Sequence, residues 1–267
     1  MPKFTDQTYL RTDQYLDAGN LNARIAIHER FSTNPQGWYP WIWDILAELP
    51  ANAKVLELGC GSGALWMTCP ERIPPGWSIT LSDFSSGMLD AAWRNLVTIN
   101  RGLKFEQIDA QSIPYTDETF DVVIANFMLY HVPDRPKALA EIQRVIKPGG
   151  VLVAATAGEN HLKEMHSWFG RHVPSAGMLT FRDLFTLENG LSQLQPFFDV
   201  IELRRYIDGL RITEIAPLMA YLRSTTTYGD EPESAFARLE QELSNQLQAK
   251  GAIEITKDSG VFLAHKA

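Results

Sequence analysis

Five short apolar runs punctuate residues 53 to 156 and alternate with stretches of helical period: KVLEL (54–58), SITLSD (78–83), KFEQID (104–109), DVVIAN (121–126) and VLVAAT (151–156). Strands separated by amphipathic segments are the pattern of a parallel sheet with crossover helices. Between the second and third runs, Met88, Leu89, Ala92, Trp93, Leu96 and Val97 fall on one helical face, with Ser85 or Ser86 placed to cap its start. Another helix is predicted after Asp134, with Pro136 in its first turn and Leu139, Ile142, Val145 and Ile146 turned inward. Lys147-Pro148-Gly149-Gly150 stops it and feeds the fifth strand.

The flanks read differently. Residues 8–49 carry no strand signal and include Trp38, Tyr39, Trp41, Ile42, Trp43, Ile45, Leu46 and Leu49, an apolar helix closed by Pro50. Residues 159–196 read as helices broken at Pro174, Gly177 and Pro196, and FFDVIELRRYIDGLRI as a sixth strand. A helix follows with Asp230 and Glu233 as a capping box, Phe236, Leu239, Leu243 and Leu247 inward, and Gly251 as its stop. GVFLAHK is a closing strand. The expectation is one α/β domain: a helical N-terminal cap (1–50), a ligand-binding core (51–156), helical lid segments (157–198 and 213–250) and closing strands (199–212 and 260–267).

Composition narrows the function. In 267 residues, 45% hydrophobic and 21% charged describe an ordinary globular chain. Thirty-two acidic against 24 basic residues give −8, which argues against a nucleic-acid partner. MPKFTDQTYL lacks the apolar stretch of a secretory signal, and no segment approaches ~18 uninterrupted apolar residues, so a cytoplasmic protein without integral membrane association is expected. Cys60 and Cys69 read as reduced thiols. The histidines (His28, His131, His161, His166, His172 and His265) include no pair at the four-residue spacing of helical zinc motifs, which favours a metal-free site.

The chemistry concentrates in KVLELGCGSGALW. A strand that ends in Gly59, Gly61 and Gly63 lets backbone N–H groups approach a small ligand that side chains would obstruct. Gly59, Gly61 and Ala64 fit the relaxed dinucleotide pattern, and Asp83 stands where a ribose-binding acid belongs, so an NAD(P)-dependent oxidoreductase is one reading. No tyrosine is followed four residues later by lysine, so the hydride-transfer pair of short-chain dehydrogenases is missing. Glu57 supports another reading: a carboxylate beside the turn repels pyrophosphate and suits a cation. S-adenosyl-L-methionine carries an ammonium, a sulfonium, a ribose diol and an adenine. The acids meet those groups in order, with Glu57 closing strand one, Asp83 then Phe84 closing strand two, and Asp109 then Ala110 closing strand three.

Here the chain resembles the class I S-adenosylmethionine-dependent methyltransferases, in the small-molecule, ubiquinone/menaquinone-methyltransferase-like branch. VLELGCGSG, LSDFSSGML, QIDAQSIPYTDETFDVVIANFMLYHVPD and EIQRVIKPGGVLV carry the resemblance over about residues 53–156. It implies a Rossmann-like seven-stranded, mostly parallel sheet with an antiparallel last strand and helices on both faces. It further implies that Gly59, Gly61 and Gly63 line the methionine moiety and that Asp83 takes both ribose hydroxyls. Phe84 and Met88 flank the adenine, Asp109 and the Ala110 N–H read its edge, and the Asn126 carbonyl reaches the methionyl end. Arg24 is a candidate for the cofactor carboxylate, a solvated helix face shared with His28 being the alternative. The expected reaction moves a methyl group to a small, partly apolar acceptor and leaves S-adenosyl-L-homocysteine. His131 is the first candidate for a base, Tyr130 and Tyr15 the weaker ones. A non-catalytic S-adenosylmethionine-binding module is a third reading.

Overall fold

The computed structural model describes residues 5–99, 102–172, 184–225 and 233–267. Pro174, Gly177 and Asp230, expected as helix breakers and as half of a capping box, lie outside the described residues. The five expected strands form as β1 (Asn52–Leu58), β2 (Gly76–Asp83), β3 (Lys104–Gln107), β4 (Phe120–Asn126) and β5 (Ile146–Ala157), and four more follow: β6 (Val200–Tyr206), β7 (Gly209–Ile212), β8 (Ile253–Thr256) and β9 (Ser259–His265). Seven of them make one sheet in the order β3-β2-β1-β4-β5-β9-β6. β1 to β5 run parallel, and β9 is antiparallel to both β5 and β6. This is the mostly parallel, seven-stranded sheet with an antiparallel last strand that the motifs imply.

Alternate residues of each central strand pack to opposite faces. Val55, Ile79, Leu81, Val122 and Ile124 join a core under Trp43, Trp66, Trp77, Ala92 and Leu96. Leu56, Leu58, Val123 and Ala125 join another under Leu139, Ile142 and Val145. The helix at Ser86–Leu96 is capped by Ser85, whose Oγ accepts the Met88 N–H. The helix at Arg135–Val145 is capped by Asp134, whose side chain accepts the Lys137 N–H. The apolar helix over Trp38–Leu46 packs on the first core.

Four expectations change. Trp93 and Val97 are 54% and 56% exposed rather than inward. The buried positions are Met88, Ala91, Ala92 and Leu96; Trp93 sits about 100° round the helix from Ala92, and Val97 lies past the last turn. Ile146 is not on a helix but opens β5, its backbone already extended at φ −77°, ψ 135°. KPGG is therefore inside β5, with a register shift against β4 between Phe120 and Val122. The single sixth strand is two: β6 closes the sheet, and β7 leaves it to pair antiparallel with β8, a strand absent from the sequence reading.

That departure creates a third core. Leu210, Ile212, Ile253 and Ile255 from β7 and β8 pack with Ile27, Phe31, Leu218, Leu222, Leu239 and Leu243 from helices at Gly19–Phe31, Ile215–Ser224 and Glu233–Lys250. The N-terminal cap and the later helices thus share one core, set over the ends of the strands.

Gly63 enters the helix Ala64–Thr68 at φ +80°, and a Cβ placed on it lies 2.6 Å from Leu96 Cδ1. Gly63→Ala is expected to cost about 1–3 kcal/mol and to lower the thermal midpoint by several degrees. An unchanged melting curve shows that this turn is not a packing constraint.

Candidate active site

The parallel strands place the C-terminal ends of β1 to β4 along one edge of the sheet, where strand order reverses between β1 and β4 and open α/β sheets hold their ligands. A cavity of about 730 Å³ opens there. It runs from the glycine turn and the ends of β2 and β3, beneath the N-terminal segment, to the third core.

Gly59 and Gly61 line it at φ +67° and +56°. An added Cβ stands 2.7 Å from Met128 Cβ at Gly59, which needs both left-handed backbone and close approach; at Gly61 the neighbour is the tip of Leu21, 2.8 Å away and able to shift, so the left-handed backbone is the constraint there. Gly63 does not reach the cavity; its place is the packing against Leu96.

Glu57 is 2% exposed and receives a hydrogen bond from Trp66 Nε1–H. Burial, with repulsion from Asp83 adding to it, pushes its carboxyl up to about 7, against the Trp66 bond. Asp83 accepts from Gly61 N–H at 2.9 Å and Ser85 N–H at 2.8 Å. Burial still lifts it to about 6 despite these bonds. Asp109 accepts from Gln111 N–H at 2.9 Å and Gln7 Nε2 at 3.2 Å, so the N-terminal segment touches the acid after β3. Phe84 and Ala110 line the same end. Met88 does not: it is 1% exposed within its helix, because the Ser85 cap turns its first turn into the core.

Asn126 lines the cavity at the end of β4 with its Oδ1 buried and without a hydrogen-bond partner. Beyond it, Tyr15, Tyr130 and His131 come together: Tyr15 OH lies 2.9 Å from His131 Nε2, and the rings of Tyr130 and His131 meet edge to face at 4.5 Å. Arg24 donates to Tyr15 OH at 3.4 Å and to the Ser224 carbonyl at 2.6 Å. Its guanidinium ties the N-terminal helix to the third core, and both Arg24 and His28 face the cavity, which replaces the solvated-face alternative. Burial raises the hydroxyl pKa of both Tyr15 and Tyr130, so each stays protonated at neutral pH.

Sequence reasoning missed Gln7, Met128 and Lys257, all in the cavity wall. Gln7 and Lys257 sit in segments without a motif, and chain separation hides their proximity; Met128 followed a recognised strand and its position beside Gly59 was the one signal available. Trp38 and Tyr39, from the apolar helix before β1, line the cavity. Among the described residues, no group of three His, Cys, Asp or Glu side chains stands where it could hold a metal ion, and no helix is long and apolar enough to cross a membrane.

Residues 56–154 match the family model described as a methyltransferase domain. The chain is 32% identical over 142 residues to a demethylmenaquinone methyltransferase of Lactobacillus johnsonii, covering 50% of this chain and 58% of that one. It is 26% identical over 185 residues to the ubiquinone/menaquinone biosynthesis C-methyltransferase UbiE of Rickettsia massiliae, covering 66% and 75%. The chain therefore spans little more than half of the first of these relatives. Among solved structures, the [4+2]-cyclase SpnF superposes at a TM-score of 0.62 with 19% identity, covering 98% and 97%. Phosphoethanolamine N-methyltransferase 2 of Haemonchus contortus, in complex with S-adenosyl-L-methionine, superposes at 0.59 with 21% identity, covering 98% of this chain and 60% of that one. The matched methyltransferase domain takes in the glycine turn and the ends of the central strands, and over that core the chain is similar to the class I S-adenosylmethionine-dependent methyltransferases of the ubiquinone/menaquinone branch and shares the fold of the solved neighbours.

Proposed function

We propose that this protein transfers a methyl group from S-adenosyl-L-methionine to a small, partly apolar acceptor, and that the acceptor is a quinol-like ring. The observation that carries the reading is the buried carboxylate of Glu57 beside two left-handed glycines, on a cavity that also takes in Asp83 and Asp109. A buried carboxyl beside the glycine turn gains from ionising against an incoming cation and would meet a pyrophosphate with like charge if it ionised, which favours the methyl donor over a nicotinamide cofactor. The acceptor class follows the names of the menaquinone and ubiquinone methyltransferases to which the chain is similar.

The residues fit the donor. Glu57 receives the ammonium, and the Gly59 and Gly61 backbone admits the methionyl chain. Asn126 Oδ1, buried and unpartnered, is a ready acceptor at the same end. Asp83 keeps lone pairs for a diol while two backbone N–H groups hold its position. Phe84 and Ala110 wall the adenine slot, with Asp109 at its rim. When bound, the donor supplies a methyl group on a sulfonium, whose departure as a neutral thioether needs no nucleophile from the protein.

The protein's part in the chemistry is placement and proton removal. Tyr15 O accepts from Arg24 and lies 2.9 Å from His131 Nε2; in the tautomer with its proton on Nε2 the imidazole donates to Tyr15 O, which sets the ring's orientation and keeps the basic lone pair on Nδ1. Since burial keeps both tyrosines protonated, His131 is the base of the three and Tyr15 positions it.

Calorimetry with S-adenosylhomocysteine and with NADH separates the enzyme classes: binding of the first and none of the second is expected, and the reverse overturns the reading. A structural neighbour is a cyclase, so transfer itself is read with methyl-labelled donor and reduced 1,4-naphthoquinone as the acceptor probe. Label in the organic product is expected, and donor binding without label in any acceptor favours the non-catalytic module. His131→Ala is expected to slow transfer about 100-fold with donor affinity retained; an unchanged rate removes His131 as the base.

The acids set a pH dependence. Their folded-state pKa values lie above the unfolded ones, so their contribution to stability is full below about pH 4 and is lost as pH rises through about 6 to 7. The ligand-free protein is expected to melt at lower temperature at pH 8 than at pH 5. S-adenosylhomocysteine should bind more tightly as pH rises to about 7, with proton release below it, and Glu57→Gln should flatten that rise. Affinity that falls over this range contradicts the pairing of Glu57 with the ammonium.

A further inference from the structure

The far wall of the cavity carries polar groups for which the donor has no use. Lys257, in the short connection between β8 and β9, lines it and pairs with Asp208. Both side chains are nearly inaccessible, at 6% and 0% exposed. Asp208 is saturated by Ser32 Oγ–H and the backbone N–H groups of Thr33, Asn34 and Gly209. An ammonium has three protons to donate; Asp208 accepts one and the Tyr206 ring faces the nitrogen at 5.5 Å. Donors therefore remain for a group that enters.

Two imidazoles stand beside it. His28 and His161 lie ring over ring at 6.2 Å and 30°, and both line the cavity. Asp258 N–H donates to His161 Nδ1 at 3.1 Å, which leaves the proton of the neutral ring on Nε2. His28 Nδ1 is buried and has no hydrogen-bond partner, a cost that a ligand can relieve. Burial, then the Lys257 charge, keeps both rings neutral, His161 down at about 3. Leu162, Met165 and Phe169 supply apolar wall at the same end.

We propose that Lys257, His28 and His161 form an anchoring subsite for the oxygen of an acidic hydroxyl, phenolic or enolic, on the unsaturated ring of the methyl acceptor. This rests on the methyl-transfer reading above and specifies which end of the cavity holds the acceptor. The charges choose the ligand: Lys257 and Asp208 sum to zero and the imidazoles are neutral, so the subsite offers donors without net charge. A permanent dianion such as phosphate meets the Asp208 charge. A hydroxyl that ionises in part gains from the ammonium, and its ring becomes more electron-rich toward the methyl carbon. The ammonium in the cluster also argues against a metal there.

The test uses the full chain with S-adenosylhomocysteine present and two probes of matched shape, 2-naphthol and naphthalene. The naphthol is expected to bind about tenfold more tightly, and its absorbance titration should show the bound hydroxyl ionising at lower pH than in water. His28→Leu, at a ring that makes no hydrogen bond within the described residues, should reduce the preference about threefold. Lys257→Met combined with Asp208→Asn removes the pair without stranding one charge and should abolish both the preference and the shifted ionisation. Equal affinity for the two probes, or a preference that survives both variants, overturns the subsite. If S-adenosylhomocysteine binds and the preference is missing, this inference falls alone; if S-adenosylhomocysteine does not bind, the methyltransferase reading falls with it.

Discussion

A carboxylate removed from water at the end of a buried strand is the constraint around which this molecule is arranged. Glu57 stands on β1, paired with Leu81 and Ile124 on either side, at a level where both faces of the sheet are covered. Burying an unpaired carboxylate is costly, and a single indole donor from Trp66 offsets only part of the cost. The group responds by holding its proton to an unusually high pH. Asp83, one strand away, is under the same pressure with two backbone donors to relieve it. A fold that keeps two such acids beside one cavity has an electrostatic need that a cation satisfies.

The packing that maintains this arrangement comes from aromatic side chains under the sheet. Trp66 bonds Glu57 and meets Trp43 edge to face at 5.6 Å, while Trp43 Nε1–H donates to the Leu65 carbonyl. The same cluster reaches Trp77, whose Nε1–H donates to the Pro50 carbonyl. Each indole covers apolar area and satisfies its one polar atom, so the carboxylate is held by groups that cannot easily rotate away. The glycine turn joins β1 to the helix that carries Trp66, and Met128 packs close enough to Gly59 to leave no room for a side chain there.

The cavity has its two kinds of wall because two cores meet over it. The sheet supplies acids and backbone, and the third core supplies helices, β7 and β8. Arg24 spans the junction: it reaches Tyr15, whose carbonyl accepts from Ser85 beside Asp83, and Ser224 in the helical part. The helical part and the strand ends are thereby linked through hydrogen bonds, and Gln7 on Asp109 adds a second tie.

The sequence alone determined the parallel core. Period-two apolar runs, amphipathic segments between them, and Ser85 and Asp134 as caps are local signals, each readable within one element, and their order placed Glu57, Asp83 and Asp109 on neighbouring strand ends. It also supplied the glycines, because left-handed backbone is a property of the residue itself. Only the tertiary structure decided what depends on distant segments. β7 leaves the sheet because β8, some 40 residues later, offers it a partner and Asp208 finds Lys257. Trp93 faces water because the neighbouring helix positions, not its own hydrophobicity, meet the sheet. Gly63 and Met88 belong to the core for the same reason, since a residue's distance from a cavity is set by the packing of its whole element. His28, His161 and Lys257 meet across more than 200 residues of chain, and no periodicity or spacing records a contact made only when the chain has folded.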